Sequence, residues 1–255
     1  MMSFRIGTSG WMYDDWRGRF YPAEIPKTRW FSHYAQHFAT VEINSSFYRL
    51  PSEKAFRAWR DKAPYGFVYA LKVSRYITHL KKLRDVEEPL RTFAARARLL
   101  GNRLGPLLYQ LPPSLKRHDA LLDAFLQLLP GDLQHVFEFR HESWFDEGVY
   151  SLLRKHGAAF CVYDLPGTTT PIVATAGLAY VRFHGSTGLY DSCYTEEELR
   201  SWATKISELG RGLSQVYVYF NNDTRAHAVG NAARLRELLA QGPCDSATPV
   251  APADP

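Results

Sequence analysis

Short apolar runs alternate with amphipathic stretches from one end of this chain to the other. Candidate strands read at FRIG (4–7), TVEIN (40–44), GFVYALKV (66–73), PLLYQL (106–111), HVFEFR (135–140), AFCVYD (159–164), AYVRFH (179–184) and QVYVYFN (215–221). Eight such runs spaced by roughly 30 residues predict βα units and a parallel sheet closed into a (β/α)8 TIM-type barrel, an α/β fold in a single domain. The stretch 89–105 carries Leu90, Phe93, Ala94, Ala97, Leu100 and Leu104 at helical spacing, with Gly101 or Gly105 placed to end it. Its arginines, Arg91, Arg96, Arg98 and Arg103, fall largely off that stripe and read as a solvated outer face. Further helices are predicted over 119–129, 146–156, 195–209 and 223–240, and Thr195 with Glu198 forms a capping-box signature. The link LPGTTTPIVATAGL between the sixth and seventh strands has no helical pattern, so an irregular connection is expected there. An open doubly wound sheet is the alternative, but consecutive units without a GxGxxG turn fit closure better. The barrel is expected to span 1–241, with the Pro/Ala-rich tail 242–255 disordered.

Alternation along barrel strands sends successive side chains to opposite faces. In VFEFRH, Phe137 and Phe139 belong against helices, which turns Glu138 and Arg140 into the lumen. The same rule points Glu42 and Asn44, Lys72, Gln110, Asp164, and the set Tyr180, Arg182 and His184 inward; Tyr217, Tyr219 and Asn221 form a further set. These polar residues fall near strand C-terminal ends, where barrel active sites are built. Their convergence is the main functional signal.

The acids Glu42, Glu138 and Asp164 are matched by Lys72, Arg140 and Arg182, with His184 titratable. A divalent-metal site normally shows excess carboxylates or a histidine cluster, so no metal or cofactor is required by the sequence and Glu138, Asp164 and His184 are only a fallback metal triad. A self-neutralising structural network is the rival reading, although packed apolar side chains would give rigidity at lower cost. Loops GTSGW (7–11) and HGSTG (184–188) could cradle an anion, with Ser186 and Asn221 nearby. Among several loop aromatics, Trp144 and Tyr190 are the expected pocket walls, and His79 and His141 could reach the mouth.

The net charge of +5 and pI near 9.0 are compatible with an anionic partner but do not demand one. Cys161, Cys193 and Cys244 are odd in number and show no zinc spacing, and Cys161 reads as a small buried hydrophobe. The opening MMSFRIG enters a strand at once, and no apolar run is long enough to cross a membrane. The expectation is a reduced, cytoplasmic protein with no membrane association and no obligate protein partner.

IGTSGW (6–11), FYP (20–22), VEINSSFYRLP (41–51), ITH (77–79), LGPLLYQLPPS (104–114), FEFRHESW (137–144), YVRFHGSTGLY (180–190) and VYVYFNND (216–223) together resemble the domain-of-unknown-function 72 (YecE-like) family over nearly the whole chain. The resemblance implies a TIM-type barrel and brings no reaction with it.

The leading expectation is a barrel enzyme, hydrolase class favoured, acting on an anionic, phosphate-bearing or nucleic-acid-derived substrate by acid–base chemistry, with a small anionic ligand or nucleic acid as partner. Glu138 is the expected general base and His184 its proton partner, with Asp164 or Glu42 orienting them. Arg140, Arg182 and Lys72 hold the anion, and Asn44, Gln110, Asn221, Ser186, Trp144 and Tyr190 complete the pocket. The alternatives are a sugar-directed hydrolase or isomerase, and a non-enzymatic module binding nucleic acid or protein.

Overall fold

The computed structural model of the protein describes residues 2–241; the expected disordered tail lies outside the described residues. The strands are β1 (Ser3–Thr8), β2 (Thr40–Ile43), β3 (Val68–Lys72), β4 (Leu104–Gln110), β5 (His135–Glu138), β6 (Ala159–Leu165), β7 (Thr168–Thr169), β8 (Leu178–Phe183) and β9 (Gln215–Phe220). They run in the order β1-β9-β8-β6-β5-β4-β3-β2, every pair parallel except the two-residue β7, which folds antiparallel onto β6. The seam between β1 and β2 is narrowed to a single parallel bridge, Ser9 with Glu42. Gly7 makes that approach feasible, because a Cβ there would lie 2.4 Å from the carbonyl oxygen of Thr40. Eight parallel strands curled in this way make the expected single-domain barrel.

The helices are α1 (Trp30–His37), α2 (Ser45–Tyr48), α3 (Glu53–Lys62), α4 (Glu87–Ala97), α5 (Asp119–Gln127), α6 (Glu147–Lys155), α7 (Glu196–Leu209) and α8 (His227–Gln241). The long helix expected over 89–105 stops at Ala97 and tightens into a 3-10 turn over Arg98–Arg103, where Gly101 adopts φ 56. The predicted capping box on α7 is present, Thr195 and Glu198 satisfying each other's backbone N–H. No helix links β6 to β8. In its place buried Thr175 accepts from the Phe160 N–H (2.8 Å) and Thr170 from the Tyr163 N–H (2.9 Å), so side chains satisfy backbone that neighbouring strands leave open.

Two apolar layers result. The larger lies between sheet and helices and includes Phe137, Phe139, Phe160, Val162, Val181 and Val218. The smaller fills the lumen with Ala70, Leu108, Val136, Ala159, Cys161, Tyr180, Tyr217 and Tyr219. Small side chains facing tyrosines close the lower lumen as packed interior. Above it the C-terminal end turns polar, and its charges stand on that apolar plug.

Candidate active site at the barrel mouth

Arg182, on β8, organises the mouth. It is 1 % exposed, and its guanidinium donates to Glu42 Oε1 at 2.8 Å and to Glu138 Oε2 at 2.6 Å, bridging β2 and β5 across the lumen. Ser9 Oγ (2.8 Å) and Tyr180 Oη (2.6 Å) also donate to Glu42, and Arg140 donates to Glu138 Oε1. Burial alone would raise the Glu138 pKa, but Arg140 and Arg182 hold its carboxyl well below the ordinary range. Two acids and two guanidiniums cancel in charge, so this floor is neutral.

His184 follows on the same strand face. Its Nε2 lies 3.1 Å from Arg140 Nη2 and 3.4 Å from Arg182 Nη1, and its Nδ1 lies 3.0 Å from the Asn221 side-chain amide. A guanidinium can only donate, so Nε2 is the acceptor and the ring proton sits on Nδ1. Asn221 faces Nδ1 with its Nδ2, so its amide must be turned end for end for Oδ1 to accept that proton. Burial and the flanking Arg182 push the His184 pKa well below the usual histidine value, consistent with a neutral ring.

The unfolded chain takes up protons on histidines near pH 6.5, whereas folded His184 and His79, the latter lowered to about 4 chiefly by burial, resist doing so. The unfolded state therefore binds more protons below pH 6.5, and stability is expected to fall as pH drops from 6.5 toward 4. Urea unfolding midpoints across that window check this; a flat profile for these groups, tested against His184→Asn, refutes it.

Above the neutral floor opens a cavity of about 430 Å³ lined by Lys72, Arg75, His79, Gln110, Arg140 and Asn221, with Phe47, Tyr48 and Tyr190 at its rim and Arg182 and His184 at its base. Among the described residues that line it, none is an acid. Lys72 ends β3 with its Nζ 4.3 Å from the centroid of the Phe47 ring, and its pKa is lowered to about 8 by burial and by Arg182. Arg140 stacks at 4.6 Å on Tyr163. Arg75 and His79 come from a single π-helical turn over Tyr76–Leu80 and the residue before it; such turns recur at functional sites.

The parity rule thus places Glu42, Lys72, Gln110, Glu138, Arg140, Arg182, His184 and Asn221 together as expected. Asn44 stands one β repeat beyond Glu42, with Oδ1 buried and unpartnered, but does not line the cavity. Tyr190 is a wall: 43 % exposed, it meets His184 edge-on at 5.6 Å.

Several expectations need correction. Asp164 faces outward, where Thr169 (2.6 Å) and Tyr194 (2.8 Å) donate to it, because β6 packs Phe160 and Val162 on the helix side and turns Cys161 and Tyr163 inward. The Glu138–Asp164–His184 triad is therefore not assembled, and among the described residues no three His, Cys, Asp or Glu side chains converge as a metal site would need. Trp144 is fully buried against Phe139 at 4.8 Å, its indole N–H given to Leu115 at 2.7 Å, so it belongs to the helix layer. Ser186 does not line the cavity, and the HGSTG loop is no anion cradle: the Gly185 N–H donates to Tyr194 Oη and the Thr187 N–H to Ser192 Oγ. His141 likewise caps its own turn by accepting from the Ser143 N–H at 3.1 Å.

Sequence reasoning missed Arg75, which lies past β3 where strand parity no longer applies, and Tyr163, whose side it misjudged. Basic residues flanking the end of a lumen-facing lysine strand were the available signal for Arg75.

Comparison with known proteins agrees with the fold. The family model described as "Protein of unknown function DUF72" matches residues 5–254. The chain belongs to this family. UPF0759 protein YunF of Bacillus subtilis is 26% identical over 92% of this chain and 94% of its own length, and YecE of Escherichia coli K12 is 33% identical over 45% of this chain and 43% of its own. A DUF72 family protein from Thermotoga maritima MSB8 superposes with a TM-score of 0.85 at 32% identity, covering 93% of this chain and 99% of that one. An L-ribulose 3-epimerase structure, at 11% identity and a TM-score of 0.57, shares the fold alone. Among the described residues of this DUF72 chain, no helix is long and apolar enough to cross a membrane.

Proposed function

We propose that the mouth of this barrel is a substrate pocket for a small anion, phosphate- or carboxylate-bearing, and that the protein is an enzyme acting on such a compound by proton transfer. One observation carries this reading: Lys72, Arg75 and Arg140 face a cavity lined by no acid, while Glu42 and Glu138 lie beneath it, already engaged by Arg182. A purely structural network would close on itself; this one leaves cations in excess on its open side. Guanidiniums held rigidly by buried carboxylates are pre-organised to receive an oxyanion.

Glu138 becomes a positioning residue in this reading, not the general base, because both its oxygens are occupied and its carboxylate is a very weak base. His184, neutral and in contact with the cavity, is the remaining proton carrier, and it can take a proton on Nε2 only once a bound anion draws Arg140 away from it. A glycosidase-type pair of independently titrating carboxylates finds no support, since Glu42 and Glu138 share one guanidinium.

Sulfate, whose charge does not change near neutrality, tests the pocket. It is expected to bind by calorimetry at low salt and to lose about tenfold in affinity as pH rises from 7 to 9.5, since Lys72 is charged below about 8 and neutral above. Arg140→Met and, independently of the lumen ion pairs, Arg75→Met should each weaken it by about tenfold or more. Binding that ignores pH and both substitutions defeats the proposal. Steep salt dependence with single-stranded nucleic acid, tighter than with sulfate, would instead mark a polyanion as the ligand.

A further inference from the structure

Lys72 differs from an ordinary anion-binding lysine in one respect. Its ammonium makes no ion pair or hydrogen bond with any described residue; the lumen acids are taken by Arg140 and Arg182, and the nearest favourable partner is the face of Phe47 at 4.3 Å. It stands at the C-terminal end of β3, opening into a cavity that Arg140 and Arg75 also line. An anchored anion therefore brings the rest of a small molecule toward an amine with no competing partner.

We propose that Lys72 is a nucleophile that forms a Schiff base with an anionic carbonyl compound, an aldehyde or 2-oxo acid whose phosphate or carboxylate rests on Arg140 and Arg75. This deepens the pocket reading above and rests on it. The Nζ lone pair forms a bond to the carbonyl carbon while the carbonyl π pair moves to oxygen. The carbinolamine then loses that oxygen as water with the two protons the amine gives up, leaving a C=N bond to Lys72. No oxidant or reductant is consumed.

The chemistry requires a neutral amine, and the surroundings provide one. Burial and the adjacent Arg182 lower the Lys72 pKa to about 8, so near pH 8 its neutral fraction exceeds that of an ordinary lysine, pKa near 10.4, by on the order of a hundredfold. The neighbouring guanidiniums keep their protons throughout that range, so the anion stays anchored while the amine becomes reactive.

The test is reductive trapping of the full chain at pH 8. Pyridoxal 5′-phosphate or glyoxylate is added, then sodium cyanoborohydride, and the labelled lysines are located by peptide mass spectrometry. One adduct at Lys72 is expected, formed at least tenfold faster than adducts at exposed lysines, suppressed by sulfate, and formed far more slowly with pyridoxal, which lacks the phosphate. Lys72→Arg should show only background labelling, with its fold checked by its unfolding midpoint. Labelling spread evenly over exposed lysines, or none at Lys72 while sulfate still binds, overturns the Schiff-base assignment and leaves the anion pocket standing. Absence of both sulfate binding and labelling removes the pocket as well.

Discussion

Arg182→Met is expected to cost about 3–5 kcal/mol of folding stability, because it leaves Glu42 and Glu138 buried with their shared counter-charge gone. For a domain of this size that lowers the melting temperature by roughly 6–20 °C. The size of the effect follows from topology. Arg182 on β8 reaches β2 in one direction and β5 in the other, so one side chain ties three of the eight barrel strands across the lumen. Met has similar bulk, which separates lost charge from lost packing. Combining it with Glu42→Gln and Glu138→Gln should recover part of the loss, since the uncompensated charges are then removed too. Chemical unfolding of the wild type, the single variant and the triple variant measures this. A single Arg182→Met that unfolds like wild type would mean the carboxylates are protonated or solvated in the native state, and the neutral-floor description would fail.

How much of this was legible in the sequence depended on what each strand packs against. In β5 the phenylalanines at 137 and 139 leave only one face for Glu138 and Arg140, and Val41 and Ile43 do the same for Glu42 on β2. Where both faces of a strand are apolar the rule loses its footing. In β6, Cys161 suits a lumen or a helix layer equally well, so Asp164 was assigned to the wrong side. The structure resolves it through the register of Cys161 with Tyr180 and Tyr163 with Arg182, long-range pairings that no local pattern encodes. Trp144 fails differently: it lies in a loop, where position along the chain does not fix direction, and its burial on Phe139 is tertiary. Helices α1 and α2 are short and rich in aromatics, and α3 is so highly charged that it buries only Phe56, so none of them offers a long apolar stripe. The pattern therefore yields the barrel and its charged mouth, whereas the cavity's net positive character emerges only when the acids are seen to lie below it.

That layering predicts opposite effects from one substitution. Glu138→Gln is expected to destabilise the fold by about 3–5 kcal/mol while raising sulfate affinity by on the order of tenfold. Stability falls because Arg140 and Arg182 lose a fully buried counter-charge. Affinity rises because the same two guanidiniums, no longer neutralised from beneath, direct their full charge at the cavity they both line. Lys72 responds as well: the Glu138 charge helps keep it protonated, so its removal lowers the Lys72 pKa below about 8 and moves the pH midpoint of any Lys72 labelling in the same direction. A general base would show the same electrostatic changes and lose turnover as well. Calorimetry, unfolding and labelling on the one variant therefore test the layering of acids beneath cations. Weaker sulfate binding in Glu138→Gln, with the fold intact at the assay temperature, would show that the anion does not sit over this floor.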